Sequence, residues 1–360
     1  MMILTREDLI RYLKPGNPET LQEIIDLAHR VRLNHVGNKV WLRGLVEWTN
    51  RCAKNCYYCG IRRDNKEAHR YTVDFRALEE AIDTALSNKF GSMVVQTGEL
   101  SGEQFVEEIG EVVKTIKSRS DNKLGVTLSC GEQSEETYRY WYECGAHRYL
   151  LRIEASDPEL YSRLHPQDRF HEQKNRFISL ELLRKCGYQV GTGIMVGLPG
   201  QSLQHLADDI LTINRLDVDM VGLGPYIPHH RTPLYELKEL LLPAAVRLEL
   251  TLRVLALVRI TMKDINMAAS TALDVLVSSG RLMALRAGAN VLMPNLTPAD
   301  YRKDYFLYDD KPWLTEALDL VKKISGQVRK YGLEIGSDEW GDAPRFAERN
   351  SKKTTTGKLL

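Results

Sequence analysis

Short apolar runs of strand length, separated by longer segments of helical spacing, recur along this chain, and that alternation leaves few folds open to it. The strand candidates are Val40–Trp48, Ser92–Thr97, Gly125–Cys130, Arg148–Ala155, Val190–Val196, Met220–Pro225, Ile265–Thr271 and Asn290–Pro294. Between them the apolar residues follow a helical period. Leu203, Leu206, Ile210 and Ile213 share one face of Ser202–Leu216, and Val246, Leu250, Val254 and Leu257 mark Ala244–Arg259. Strands that alternate with helices pair in parallel, which makes the chain an α/β protein. The simplest closure is a complete (β/α)8 barrel of TIM type, with an open doubly wound sheet as the alternative. Residues 1–38 read as an N-terminal helical extension of two amphipathic helices, split at Lys14-Pro15-Gly16-Asn17-Pro18. Residues 39–325 form the expected barrel. Residues 326–360 form a short C-terminal extension whose polar end, from about Asp338, is expected as a mobile tail.

Charge excludes some partners. Lys and Arg number 49 and Asp and Glu 48, for a net charge of +1. A nucleic-acid binder working by bulk charge is thereby excluded, so any anionic substrate is held by locally placed cations. No apolar stretch reaches membrane-spanning length, and the first residues carry charge too early for a signal peptide. The expected location is cytoplasmic, where thiols stay reduced, so the six cysteines point to metal or catalysis rather than disulfides.

Three of those cysteines stand together, as Cys52-Ala53-Lys54-Asn55-Cys56-Tyr57-Tyr58-Cys59. The spacing C-x3-C-x2-C begins just after the first strand, on the face where a barrel carries its chemistry. Three thiolates can hold three irons of a 4Fe–4S cube and leave the fourth iron free for a small molecule. S-adenosylmethionine (SAM) suits that vacancy, since its amino and carboxylate groups chelate iron. The competing reading is a structural zinc site, for which His69 is the nearest downstream fourth ligand. Tyr58 fits an aromatic packed against an adenine ring.

Other strand ends supply partners. Thr97, Gly98 and Glu99 follow the second strand, where a glycine lets backbone approach a ligand and a carboxylate accepts from an ammonium. By alternation Arg148, Leu150, Arg152 and Glu154 share one face of the fourth strand. Arg152 and Glu154 lie nearest the top, either serving a carboxylate and a ribose or forming an internal ion pair. Arg176 is a second candidate for the SAM carboxylate. The fifth strand ends Gly193-Ile194-Met195-Val196-Gly197-Leu198-Pro199-Gly200-Gln201, a shaped turn in which Met195, Gly197 and Pro199 are assigned to the cofactor, with Ile227 from the next strand end. Ser270, Thr271 and Met293 close the last two strands and are assigned to substrate. Cys130, at the end of the third strand, is either a small packed residue or a ligand of a second metal with His229 or His230.

These residues together resemble the HydE family of radical SAM maturases. The resemblance runs from about Val31 to Arg302. It is carried by the cysteine motif with Gly60-Ile61-Arg62-Arg63-Asp64-Asn65-Lys66, by Arg148-Tyr149-Leu150-Leu151-Arg152, by Val196-Gly197-Leu198-Pro199-Gly200-Gln201, by Gly224-Pro225-Tyr226-Ile227-Pro228-His229 and by Gly288-Ala289-Asn290-Val291-Leu292-Met293-Pro294-Asn295. Biotin synthase and methylornithine synthase are more distant in these motifs. The resemblance implies a complete barrel, a 4Fe–4S cluster and reductive SAM cleavage. It further implies a small-molecule substrate of the class of cysteine-bound iron carbonyl/cyanide complexes, an electron donor protein and maturation partner proteins. By position it assigns Arg152, Ser270 and Thr271, with Arg62, to substrate, Arg176 and Glu154 to SAM, and a cavity-facing role to Tyr301. Two residues depart from the family pattern, Cys130 in place of an apolar residue and Ala268 in place of proline. The stretch Tyr305-Phe306-Leu307-Tyr308-Asp309-Asp310-Lys311 lacks the cysteines that some members use for a second cluster.

Overall fold

The computed structural model describes residues 4–311 and 316–356, with side chains described through residue 351. Its strands are β1 (Lys39–Thr49), β2 (Ser92–Thr97), β3 (Gly125–Ser129), β4 (Arg148–Leu150), β5 (Gln189–Thr192), β6 (Met195–Val196), β7 (Met220–Pro225), β8 (Asn266–Ala269), β9 (Val291–Leu292) and β10 (Glu334–Gly336). They pair in parallel in the order β1-β2-β3-β4-β5-β7-β8-β9, and β9 returns to β1 through Trp41↔Val291 and Leu42↔Leu292. That closure makes a barrel of eight staves and rules out the open sheet. The fifth stave is split: β5 and β6 both pair with β7, on either side of Gly193-Ile194. The fourth stave is regular only to Leu150, and beyond it Glu154 takes a left-handed backbone (φ 64°).

Helices between the staves form the outer ring. The helix Ala244–Thr261 is buried around nearly its whole girth from Leu250 to Ile260. A helix apolar on every side needs cover on every side. Here the cover comes from the N-terminal helices Arg6–Leu13 and Pro18–His35, which pack onto it. Buried Arg253 ties the three together, donating to Tyr12 O (2.8 Å) and Asn17 O (2.7 Å). Asn17 caps the second helix and Pro18 occupies its first turn, so the Pro-Gly-Asn-Pro stretch is a helix stop followed by a helix start.

The floor of the barrel departs from expectation. The segment 338–343, expected as part of a mobile tail, is packed under the staves. β10 runs beside the first residues of β1, with Lys39 opposite Glu334. Fully buried Arg148 donates to Ser92 Oγ (3.0 Å) and Trp340 O (2.6 Å) and pairs with Asp342. Arg43 and Asn266 both donate to Gly341 O, at 3.1 and 2.8 Å. The final helix, Pro344–Thr356, is held by Arg345–Asp264 (2.9 Å) and Arg349–Asp219 (2.5 Å). Residues 357–360 lie outside the described part. No described helix is long and apolar enough to cross a membrane.

Candidate active site

The loop after β1 carries the three cysteines across the barrel mouth. Its path is fixed mostly by backbone groups. Ala53 N–H reaches Glu99 O (2.8 Å), Tyr57 N–H reaches Leu164 O (2.9 Å) and Gly60 N–H reaches Leu307 O (2.9 Å). Asn55 N–H donates to His171 Nε2 at 2.9 Å. Arg70 staples the loop to itself, donating to the carbonyls of Asn50, Ile61, Arg62 and Asn65 within 2.6–3.2 Å. Gly98 is required here, because a Cβ on it would sit 2.1 Å from Arg51 O and 2.9 Å from Cys52 Cβ.

Cys52, Cys56 and Cys59 all face one cavity of about 350 Å³ inside the barrel top. Burial raises all three thiols, Cys56 to about 12; the Glu99 charge raises Cys52 further, and charge on Cys52 raises Cys56 and Cys59 further. Three buried thiolates packed together need a cation. Among the described residues their sulfurs are not gathered closely enough to share a single ion, as the donors of a zinc site are. His69, the fourth ligand a zinc site requires, instead bonds Asp304 at 2.9 Å and is mostly exposed. Three cysteines lining the cavity, without His69 as a fourth ligand, therefore fit a multi-iron cluster, which they would hold by three irons.

Beside Cys52 lies a charge cluster. Lys54 Nζ is 3.0 Å from both Glu99 and Glu132, and Arg176 meets Glu132 at 2.7 Å and Glu99 at 3.6 Å. Burial alone pulls Lys54 and Arg176 down, but the two carboxylates outweigh it and raise both. Burial raises Glu99 despite its cationic neighbours. Glu99 also donates its backbone N–H to Cys52 Sγ at 3.3 Å, which joins the cluster of charges to the sulfurs. Lys54 and Glu132 were missed in the sequence. Lys54 stands inside the cysteine motif and Glu132 two residues after Cys130, but nothing in their spacing shows that they meet.

Of the residues assigned from sequence, Tyr58, Thr97, Gly98, Glu99, Glu154, Arg176, Met195 and Ile227 line this cavity with the cysteines, as do Arg152, Ser270, Thr271 and Met293. Tyr58 stands edge-on to His165, ring centres 5.5 Å apart. Arg152 pairs with Glu154 at 3.0 Å and donates to Ile194 O at 2.8 Å. Arg148 does not join them, being on the barrel floor.

Other assigned residues lie elsewhere. Gly197 and Pro199 belong to a turn outside the cavity, where Gly197 N–H donates to Gln201 Oε1 (2.7 Å). Arg62 holds the cysteine loop from outside through Asn55 Oδ1 (2.8 Å). Tyr301 donates to Asp74 (2.9 Å) and stacks at a tilt on Tyr71. From the same stretch it is Tyr305 and Tyr308 that line the cavity, and the Tyr305 hydroxyl is buried without a hydrogen-bond partner. Cys130 is fully buried in the core and outside the cavity wall, its thiol donating to Val95 O at 4.0 Å. It is not brought to His229 and His230, whose acidic neighbour is Asp309. Ala268 does line the cavity.

Three further charged groups at the wall came from no motif. Lys311 is buried against Glu47 and donates to Tyr305 O (2.7 Å), and Asn295 donates to the other Glu47 oxygen (3.0 Å). Arg281 pairs with Asp274 at 2.6 Å. The cavity is thus a mostly apolar chamber with paired charges at its edges and a sulfur triad at one end.

The model of the radical SAM superfamily matches residues 46–213. The HydE subunit of the [FeFe] hydrogenase maturase from Thermotoga maritima is 40% identical over 348 residues, 96% of this chain and 95% of that protein. The 3-methylornithine synthase of Methanosarcina acetivorans is 25% identical over 92% of this chain and 90% of that protein. In three dimensions the crystal structure of methylornithine synthase (PylB) aligns with a TM-score of 0.78 at 23% identity, covering 94% of this chain and 95% of that one, which shows the shared barrel.

Proposed function

Because the chain belongs to the radical SAM superfamily and, within it, to the HydE family, we propose that it cleaves SAM reductively and turns the resulting radical on a small iron-bound substrate during assembly of the FeFe-hydrogenase cofactor. The observation that carries this reading is the meeting of Cys52, Cys56 and Cys59 with Arg152, Ser270, Thr271 and Met293 around one internal chamber. Radical SAM enzymes use a 4Fe–4S cluster and SAM. When bound, these supply a one-electron cleavage of a C–S bond that delivers a 5′-deoxyadenosyl radical.

The chain's own residues do the rest. Cys52, Cys56 and Cys59 hold three irons, and Glu99 with the carbonyls near Gly98 accepts from the SAM ammonium. Arg176, already poised between two carboxylates, faces the SAM carboxylate, and Glu154 faces its ribose. Tyr58, Met195 and Ile227 provide the apolar surface for the adenine. Arg152, Ser270 and Thr271 take a substrate carboxylate, which suits a cysteine-derived ligand on iron carrying carbon monoxide and cyanide. The barrel wall excludes water, so a reactive radical meets only the bound substrate. An electron donor protein and maturation partners complete the proposed setting, in the cytosol. A second reading, another amino-acid-derived or metal-bound substrate, is favoured by Ala268 at the cavity wall.

The two readings separate in one anaerobic assay. The reconstituted, reduced protein is given SAM with a synthetic cysteine-bound iron dicarbonyl cyanide complex, and 5′-deoxyadenosine, adenosylated products and the EPR signal are followed. Consumption of SAM that depends on the complex, with a new iron-centred signal, supports the maturase. SAM cleavage indifferent to the complex supports the other substrate.

A further inference from the structure

Outside the chamber, on the rim of the barrel mouth, His229, His230 and Asp309 bring three donor atoms within 4.8 Å of one another. The two histidines follow β7, and Asp309 comes from the stretch after Tyr305 that crosses the mouth. The two segments are already tied, since Asp309 N–H donates to Pro228 O at 3.0 Å. Asp309 is oriented by His230 from two sides. One carboxylate oxygen accepts the His230 backbone N–H (2.9 Å), and the other lies 2.8 Å from His230 Nδ1. His229 is buried and cannot turn away. A Cβ on Gly60 would be 2.6 Å from His229 Nε2, so that nitrogen abuts the cysteine loop, and Nδ1 is the one turned away from it, held by a single main-chain N–H.

We propose that His229, His230 and Asp309 form a binding site for a first-row divalent ion, held by both Nδ1 atoms and the carboxylate, with water in the remaining positions. Two imidazoles and one carboxylate with open positions form a donor set that borderline ions such as Fe2+, Ni2+ and Zn2+ favour. Metal–ligand bonds of about 2.0–2.2 Å place neighbouring donors about 3 Å apart, near the His230–Asp309 spacing already present. His229 Nδ1 now accepts the Arg231 N–H at 3.1 Å, and binding exchanges that hydrogen bond for the ion. The ring of half-exposed His230, stacked parallel to His229 at 4.9 Å, has room to tilt towards the ion. The ion would clamp the crossing segment, which carries Tyr305, Tyr308 and Lys311 into the chamber, against the strand end beside Cys59-Gly60.

The test uses the cluster-loaded protein, so that iron occupies the three cysteines. Zn2+ bound per chain is measured by equilibrium dialysis with mass-spectrometric metal analysis, and the melting temperature is followed with and without Zn2+. The expected result is one Zn2+ per chain beyond the cluster iron, with a raised melting temperature. His230→Ala and Asp309→Ala each weaken binding by about tenfold or more, while Cys130→Ser leaves it unchanged. His230 is exposed and Asp309 half-buried, and the variants' melting temperatures without Zn2+ report that they fold. Absence of bound Zn2+ in the parent protein, or binding that survives either substitution, overturns the proposal.

Discussion

Asp342→Ala tests the barrel floor. Arg148 is fully buried, and burial lowers its guanidinium from the ordinary arginine range even with Asp342 beside it. A second buried guanidinium, Arg43, stands close enough to be lowered further by Arg148. Removing the Asp342 carboxylate leaves two buried cations facing each other, with Ser92 Oγ, Met220 Sδ and main-chain carbonyls, all uncharged, to receive them. Breaking one side of a buried pair costs about 3–5 kcal/mol. An unfolding entropy of about 2.1 cal/mol/K per residue over 360 residues converts that to a fall of about 4–7 °C in melting temperature. Anaerobic calorimetry of the cluster-loaded variant reads it directly. Replacing both partners, Arg148→Met with Asp342→Leu, is expected to recover most of the loss, because the buried Arg148 charge and its repulsion of Arg43 are then both gone. A single Asp342→Ala variant that melts with the parent refutes the reasoning, and with it the claim that the C-terminal segment is part of the fold.

Two other substitutions probe the account elsewhere. Gly98→Ala forces a methyl group against Arg51 O and Cys52 Cβ; overpacking of about 1–3 kcal/mol at a cluster cysteine predicts sub-stoichiometric iron after reconstitution, measured as iron per chain, beside a near-parental circular dichroism spectrum. Asp209 is buried, accepts the Ser156 N–H at 2.6 Å, and is pushed by burial up to about 6. A carboxyl raised in the fold holds its proton there, so stability falls as pH rises from about 4 through about 6, by about 2–3 kcal/mol for this one group. Asp209→Asn is expected to flatten the melting-temperature profile across that window, and an unchanged slope counts against the assignment.

Much of this was legible because strand and helix periods alternate cleanly in the sequence. All eight barrel staves begin within one residue of their apolar runs. Period alone does not show where a stave leaves the ladder. Arg148–Ala155 reads as one strand, but the backbone turns left-handed at Glu154 and ladder pairing continues only through the bridge Glu154↔Ile194. β10 is three residues long and partly exposed, so it has no alternation to read. The tail looked loose because Asp338 to Asp342 is polar, yet its polarity is what the buried arginines of β1 and β4 require. In the site, the cysteine spacing was visible because its ligands are close in sequence. The pairs Lys54–Glu132 and Glu47–Lys311 join residues 78 and 264 positions apart, and no local pattern encodes such meetings. The resemblance assigns Tyr301 by position, but the chain turns after Arg302, and it is Tyr305 that reaches the cavity wall.

The most direct measurement of the central claim is SAM cleavage by the parent protein and by Cys56→Ala, prepared side by side under anaerobic reduction. Iron is counted, the reduced-cluster EPR signal recorded with and without SAM, and 5′-deoxyadenosine quantified. The account predicts about four irons per chain, a signal that SAM perturbs, and 5′-deoxyadenosine from the parent alone. A Cys56→Ala variant that keeps its cluster and still cleaves SAM contradicts it.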